Sequence, residues 1–194
     1  MAPEIYGTDA PVSQGRPLRA DARRNRERVL AAAAELFAEA GQAVPLDDIA
    51  ARAGVGPGTV YRHFPTKEAL FAAVTEERLL DVVADARARA SAADPAAALD
   101  GFLARIATDA ATKRDVPDAM AGPVAGRIAE LHEAVDVLLD RAREVGAVRQ
   151  GITARELTSL LKAVVAAAQG MGDPTAVDRL SAVVRDGLRP RSGA

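Results

Sequence analysis

Two short segments at residues 45–64 constrain the fold of this chain most strongly, because each is too short to be stable without packing on a neighbour. Gly54 follows the first segment at a position suited to a left-handed turn residue, and Pro57 begins the second. The second must end by Phe64, since a residue before proline avoids helical backbone angles. The pattern predicts two helices joined by a tight turn, a helix-turn-helix. The apolar face of the first helix comprises Leu46, Ile49, Ala50 and Ala53.

Helical periodicity also covers most of the remaining chain, and no segment has the character of a strand. Apolar residues recur three and four positions apart in stretches that end at glycine or proline, such as the stretch before Gly41. Thr66, Asp94 and Thr153 stand where helix caps are expected, and Glu156 completes a capping box with Thr153. The sequence therefore predicts an all-α fold of about nine helices. They cover 19–40, 45–53, 57–63, 66–90, 95–113, a short segment near residue 117, 124–145, 153–170 and 174–188.

Composition and charge exclude several classes of protein. Residues 1–18 lack periodicity and are expected to be a disordered tail. The chain has no cysteine, no apolar run near the ~20 residues of a membrane span and no signal segment, so we expect a cytoplasmic protein without membrane contact. Between Arg16 and Arg28, six arginines stand with two acids in a chain of net charge −2. This window indicates either attraction to an anionic partner or a solvated helix start.

The sequence also argues against enzymatic and metal chemistry. The two histidines lie far apart and no phosphate-binding loop is present, so we expect no catalytic residues and no cofactor. His132 and Asp136 share one face of a predicted helix, but one histidine with one carboxylate is too small a ligand set to predict a metal site.

Polar and aromatic side chains crowd together on the second helix of the pair, in a chain otherwise poor in aromatics. A helix-turn-helix presents this helix to the DNA major groove. Gly58 would allow close approach of the backbone, Tyr61 and Arg62 would reach bases or phosphates, and Val60 would face the core. His63 as a structural histidine and Tyr61 as an ordinary surface residue remain open alternatives. The predicted DNA contacts are Arg52, Pro57, Gly58, Thr59, Tyr61, Arg62, His63, Thr66 and Lys67.

These motifs resemble the helix-turn-helix of the TetR family of bacterial transcriptional regulators. The stretch LDDIAARAGVGPGTVYRHFPTKEAL, residues 46–70, matches that family's Ile-Ala-x-x-Ala-Gly-Val turn, its Gly-Thr-hydrophobic-Tyr-x-His-Phe helix and its Lys-Glu-x-Leu start. The resemblance covers about residues 19–80. Gly56 stands where the family often has a serine or threonine, and Val44–Pro45–Leu46 replaces a usual threonine. The resemblance thus implies that two hydroxyl contacts with phosphate are absent.

The resemblance implies a homodimer with a DNA-binding domain at residues 19–80 and a helical domain for effector binding and dimerisation at 81–194. It assigns the dimer interface to the last two long helices, with Leu157, Leu160, Val164, Ala168, Val177, Leu180 and Val184. An effector pocket is expected between the helices of this domain, at Phe102, Ile106, Met120, Leu131, His132, Leu161, Val165 and Gln169. Ordinary core packing is the alternative for both sets.

The implied function is a transcriptional repressor that binds double-stranded operator DNA and leaves it when a small-molecule effector binds. An effector-independent architectural DNA-binding protein is one alternative, and a helical enzyme is another. A cavity in the C-terminal domain would favour the sensor over the architectural protein, whereas a fully packed interior would favour the reverse.

Overall fold

The computed structural model describes residues 15–112, 123–173 and 175–190. These residues form eight α-helices and one short 3-10 helix without any strand, which confirms the all-α prediction. The predicted short helix near residue 117 lies outside the described residues. The helices are α1 (Gly15–Ala40), the 3-10 helix (Gly41–Ala43), α2 (Leu46–Ala53), α3 (Pro57–His63), α4 (Lys67–Ala90), α5 (Pro95–Thr112), α6 (Pro123–Glu144), α7 (Ala154–Met171) and α8 (Ala176–Leu188).

The starts of α1, α2 and α8 differ from the sequence-based expectation, and α8 begins at Ala176, two residues later than expected. Helix α1 begins at Gly15, so residues 15–18 of the predicted tail are helical, while residues 1–14 lie outside the described residues. Pro17 falls in the first turn of α1. A backbone nitrogen in this turn has no hydrogen-bond partner within the helix, so a proline there costs no helical hydrogen bond. Pro45 precedes α2 with φ −65° and ψ 147°, and therefore caps the helix instead of forming its first residue.

The first three helices and the start of α4 enclose one hydrophobic core. Val29 of α1, Ile49 of α2, Val60 of α3 and Leu70 of α4 are all fully buried in it. The rings of Phe37 and Phe71 meet edge to face with centroids 5.2 Å apart. The short helices α2 and α3 are thus held by α1 and α4, which supply the apolar surface that neither short helix could supply alone.

A second core lies between the end of α4 and helices α5 to α8. Its largest fully buried side chains include Phe102 of α5, Leu138 and Leu139 of α6, and Leu157 of α7. Helix α4 contributes Ala86 to this core and Leu70, Phe71 and Val74 to the first one, so a single helix belongs to both.

The expected caps position the ends of these helices. The Thr66 hydroxyl accepts a hydrogen bond from Ala69 N at 3.1 Å. The capping box at α7 is present: Glu156 N donates to Thr153 Oγ1 at 3.2 Å, and Thr153 N donates to Glu156 Oε2 at 2.8 Å. Of the helices in the described part of the chain, none is both long and apolar enough to cross a bilayer.

Candidate nucleic-acid interface and effector cavity

The turn between α2 and α3 is held in place by an arginine from α1. Gly54 takes a left-handed conformation, with φ 63° and ψ 40°, as the turn requires. Arg28 Nη2 donates hydrogen bonds to the carbonyl oxygens of Ala53 and Gly54 at 2.5 and 2.6 Å. These carbonyls lie at the end of α2, where no helical partner remains for them. The guanidinium therefore caps α2 and ties the turn to α1.

Gly54 also leaves the space that this guanidinium occupies. A Cβ atom at Gly54 would lie 2.7 Å from Arg28 Nη2, well inside a normal contact distance. Any other residue would have to displace the arginine and adopt a strained backbone. The same glycine therefore provides both the backbone conformation of the turn and the space for the Arg28 guanidinium.

Helix α3 buries one face and exposes the other. Val60 and Phe64 are buried in the first core, while Tyr61 is 50% exposed and Arg62 is exposed beside it. The predicted contacts Pro57 and Gly58 are exposed, and Thr59 and His63 are partly exposed. A Cβ at Gly58 would meet no atom of the chain within 4 Å, so internal packing does not require a glycine there. The outer face is open to a partner.

The exposed face of α3 continues onto the first turn of α4. The cap residue Thr66 and the first helical residue Lys67 directly follow the short link after α3. Lys67 Nζ donates to the carbonyl oxygen of Gln42 at 3.0 Å, which joins this turn to the 3-10 helix. The N–H group and the side-chain charge of Lys67 favour an anion at this position, where hydrogen bonds with the Glu68 N–H and with Thr66 already lower the pKa of the Glu68 carboxyl.

Several of the arginines expected near DNA already have partners within the chain. Arg52 lies 2.9 Å from Glu35 and 3.9 Å from Glu39, both on α1. The Nε of Arg62 donates to the Gly58 carbonyl at 3.1 Å, an exposed contact that leaves its two terminal nitrogens available. Arg52 therefore ties α2 to α1, and its predicted contact with DNA would have to compete with two carboxylates.

Several arginines of the basic window of α1 likewise contact other residues of the chain. Arg26 stacks over the Phe64 ring at 5.4 Å and lies 3.6 Å from Glu77 of α4. The pairs formed by Arg23 and Arg24 with acids of α1 itself are exposed, and such pairs contribute little stability. Sequence reasoning left this window as either an attractive charge or a solvated helix start, because nothing in the spacing of the arginines shows which of them contact other helices.

A cavity of about 340 Å³ lies between α4, α5, α6 and α7. Six predicted pocket residues line it: Phe102, Ile106, Leu131, Leu161, Val165 and Gln169.

His132 does not line the cavity, but its Nε2 lies 3.0 Å from Oγ1 of Thr158, which does. Burial, chiefly, lowers the pKa of His132, and the charge of Arg155 adds to this effect. Met120 lies outside the described residues.

The sequence-based prediction missed the wall that α4 supplies to this cavity. Thr75, Arg78, Leu79 and Val82 line it from one face of that helix. Their spacing of three and four residues could have indicated that they share one face of the helix. Their mixture of polar and apolar types, however, gave no reason to predict that this face lines a ligand-binding cavity.

The chain matches two family models that together span most of its length. Residues 29–74 match the model of bacterial regulatory proteins of the tetR family. Residues 94–190 match the C-terminal domain of SbtR-like transcriptional regulators. The chain belongs to the TetR family of transcriptional regulators. Its N-terminal domain is therefore a DNA-binding domain.

Solved structures of similar proteins agree with this assignment. A TetR regulatory protein from Mycobacterium vanbaalenii is 39% identical, over 90% of this chain and all of that one, with a TM-score of 0.64. A TetR regulator from Streptomyces coelicolor is 30% identical, over 86% of this chain and 99% of that one, with a TM-score of 0.65. No curated protein matches the chain.

The residues predicted for the dimer interface of this TetR-family chain divide into two groups. Leu157, Ala168, Val177 and Val184 are buried within a single chain, where they pack into its own core. Leu160 is 43% exposed, and Val164 and Leu180 are partly exposed. Two exposed apolar residues of α7 and α8 were not predicted: Met171 and Val183. The interface itself remains a prediction.

No group of three or more histidine, aspartate and glutamate side chains that could hold a metal occurs among the residues described. Asp136, considered with His132 from the sequence, accepts a hydrogen bond from Ala154 N at 2.9 Å and so holds the start of α7.

We expect Arg28→Met to lower the free energy of unfolding by about 1.5 kcal/mol, because both of its hydrogen bonds to the end of α2 would be lost. Urea denaturation at fixed protein concentration measures this change. Arg24→Met is the matched control, since it removes an exposed ion pair with Asp21 on the same helix and should change stability by less than about 0.5 kcal/mol. Equal losses in the two variants would contradict the role assigned to Arg28.

Proposed function

We propose that this TetR-family regulator is a repressor that binds operator DNA as a homodimer and is released by a small-molecule effector. The observation that carries the proposal is the dual position of α4. This helix begins beside the exposed face of α3, at Lys67, and eight residues later supplies Thr75 to the cavity wall. One rigid element thus joins the candidate DNA contacts to the candidate effector site.

In the DNA-bound state, α3 enters the major groove with its exposed face towards the base edges. The two terminal nitrogens of Arg62 reach a base edge or a phosphate, and the hydroxyls of Thr59 and Tyr61 lie on the same helix. Lys67 and the α4 start hold a phosphate beside it. Gly56 has no side-chain hydroxyl, so the cap of α3 contributes no such contact.

Effector binding shifts the population between two arrangements of the domains. An effector in the cavity contacts α4 through residues from Thr75 to Val82, and α4 continues unbroken to Lys67. The helix has 24 residues, which corresponds to a length of about 36 Å. A small tilt at the cavity therefore moves α3 relative to the partner's α3, provided that the effector binds the two arrangements unequally.

The homodimer forms through α7 and α8, where apolar side chains remain exposed on the single chain. Leu160 lies on α7 and Val183 lies on α8 with 68% of its surface exposed. Two helices from each chain would then form a four-helix interface, in which these side chains are buried by symmetry. A regulator with these partners acts in the cytoplasm, where the operator DNA is.

The cavity and the family matches argue against the two alternative functions. An effector-independent architectural protein has no use for an apolar cavity of about 340 Å³ beside the helix that leads to its DNA-binding unit. A helical enzyme is disfavoured because both matched segments of the chain resemble models of transcriptional regulators.

We expect Arg62→Gln to weaken binding to the DNA upstream of the chain's own gene by about tenfold, because a guanidinium contact with a base or phosphate is lost. The triple change Tyr61→Ala, His63→Ala and Lys67→Ala should abolish sequence-specific binding. Fluorescence anisotropy at several salt concentrations measures both effects and gives the number of phosphate contacts.

Arg87→Gln is the matched control for Arg62→Gln, because it removes the same charge from an exposed position near the end of α4, where it pairs with Glu130 at 3.4 Å. Its DNA affinity should equal that of the unchanged protein. Arg52→Gln should have a smaller effect than Arg62→Gln, since Glu35 already neutralises Arg52. Retained specific binding by the triple variant would show that the site is misplaced.

We expect the double variant Leu160→Arg and Val183→Arg to be monomeric at concentrations where the unchanged chain is a dimer, since two buried charges per chain would oppose association. Sedimentation velocity measures the mass. Val137→Arg provides the control, because Val137 is an exposed apolar residue of α6 at 48% exposure and should leave the dimer intact. A dimer that survives the double variant would place the interface elsewhere.

A further inference from the structure

The cavity between α4 and α7 combines an apolar body with an uneven distribution of charge. Phe102, Ile106, Leu131, Leu161 and Val165 supply apolar surface from three helices. Three cations also line it, Arg78 of α4, Arg105 of α5 and Lys162 of α7, together with the acids Asp81 and Asp109. The occupant that this lining selects depends on which of these charges are already neutralised within the chain.

Arg105 is engaged by two neighbouring carboxylates and a carbonyl. Its Nη1 lies 3.3 Å from Asp85 Oδ1 and donates to the Asp81 carbonyl oxygen at 3.3 Å. Its Nε lies 3.6 Å from Asp109 Oδ2. Asp85 also pairs with Arg89 at 2.7 Å, so the two arginines and the carboxylates of Asp85 and Asp109 compensate one another and fix α5 against α4. This cluster leaves little net charge for a ligand.

Arg78 and Lys162 differ from Arg105 in having no such partner. Within the described residues neither side chain forms a hydrogen bond or an ion pair, although both are partly buried. Burial lowers the pKa of the Arg78 guanidinium, and the charge of Asp109 acts in the opposite direction. A guanidinium stays charged at neutral pH and carries five N–H donors, so Arg78 faces the cavity with its hydrogen-bonding capacity unused.

The remaining acid does not neutralise these two cations. Asp81 is exposed to solvent, and its main-chain carbonyl is the group that Arg105 engages. Partly buried cations without partners are costly, and an anion placed between them would recover that cost. A neutral or cationic occupant would leave both cations uncompensated and would displace the water that solvates them.

We infer that the effector of this regulator is an amphipathic anion, with its apolar body against Phe102 and Leu161 and its carboxylate, sulfonate or phosphate group between Arg78 and Lys162. This inference rests on the proposed role of the cavity as the effector site. It names the chemical class that the site accepts. It also places the anion on α4, the helix that leads to the DNA-binding unit.

Two fluorescent dyes test the inference, because they differ only in the anionic group. Anilinonaphthalene sulfonate carries a sulfonate, and N-phenylnaphthylamine has the same aromatic frame without it. The unchanged protein should bind the sulfonate dye about tenfold more tightly, as one charge-assisted contact provides. The neutral dye is the more apolar of the two, so hydrophobic binding alone would give the opposite preference.

Variants of residues that line the cavity test whether the preference for the sulfonate dye arises there and depends on its cations. Arg78→Gln should remove most of the preference for the sulfonate dye and leave the neutral dye's affinity unchanged, whereas Arg78→Lys should retain most of it. Arg87→Gln is the matched control, since Arg87 lies on the same helix, pairs with Glu130 at 3.4 Å and does not line the cavity. Ala166→Trp adds a large ring at an exposed position of the cavity lining and should weaken both dyes.

The outcomes separate failure of the inference from failure of the proposed function. Equal or tighter binding of the neutral dye, or an equal loss of both dyes in Arg78→Gln, would overturn the anionic class while leaving the cavity as the effector site. Binding of neither dye, or binding that Ala166→Trp does not affect, would overturn the assignment of the cavity itself and the inference with it.

Discussion

Helix α4 is the element on which the rest of the structure depends, because its buried residues belong to two separate hydrophobic cores. Leu70, Phe71 and Val74 close the core that supports α2 and α3, and Ala86 enters the core of the C-terminal helices. Between them, Arg127 of α6 lies 3.6 Å from Glu76. Since interiors are closely packed, this helix is the direct link through which the proposed effector response would reach α2 and α3.

Arginine serves in this chain as a connector between elements as much as a source of charge. Arg28 links α1 to the turn after α2, Arg52 links α2 back to α1, and Arg26 links α1 to Phe64. Each guanidinium can hold several acceptors in a fixed plane, which suits a small domain whose short helices have little apolar surface. The DNA-binding unit therefore depends on polar links as well as on its core.

The fold could be predicted from the sequence because its signals are local. Gly54, Pro57 and Thr66 each act on their own turn of backbone, and the structure confirms the turn, the helix start and the cap there. The partner that a long side chain contacts, in contrast, depends on how distant segments pack together. Arg28 and Arg24 look alike in sequence, yet only Arg28 reaches across 25 residues to another helix. The cavity wall on α4 was missed for the same reason, since it depends on how helices pack.

The two faces of α3 have different roles, and different residues carry them. Its inner face, with Val60 and Phe64, determines whether the domain folds, while a Cβ added at the exposed Gly56 or Gly58 would meet no atom of the chain within 4 Å. Substitutions on the outer face therefore carry little folding cost. If the outer face of α3 reads the operator as proposed, single substitutions there would change the DNA sequence recognised while the scaffold is kept.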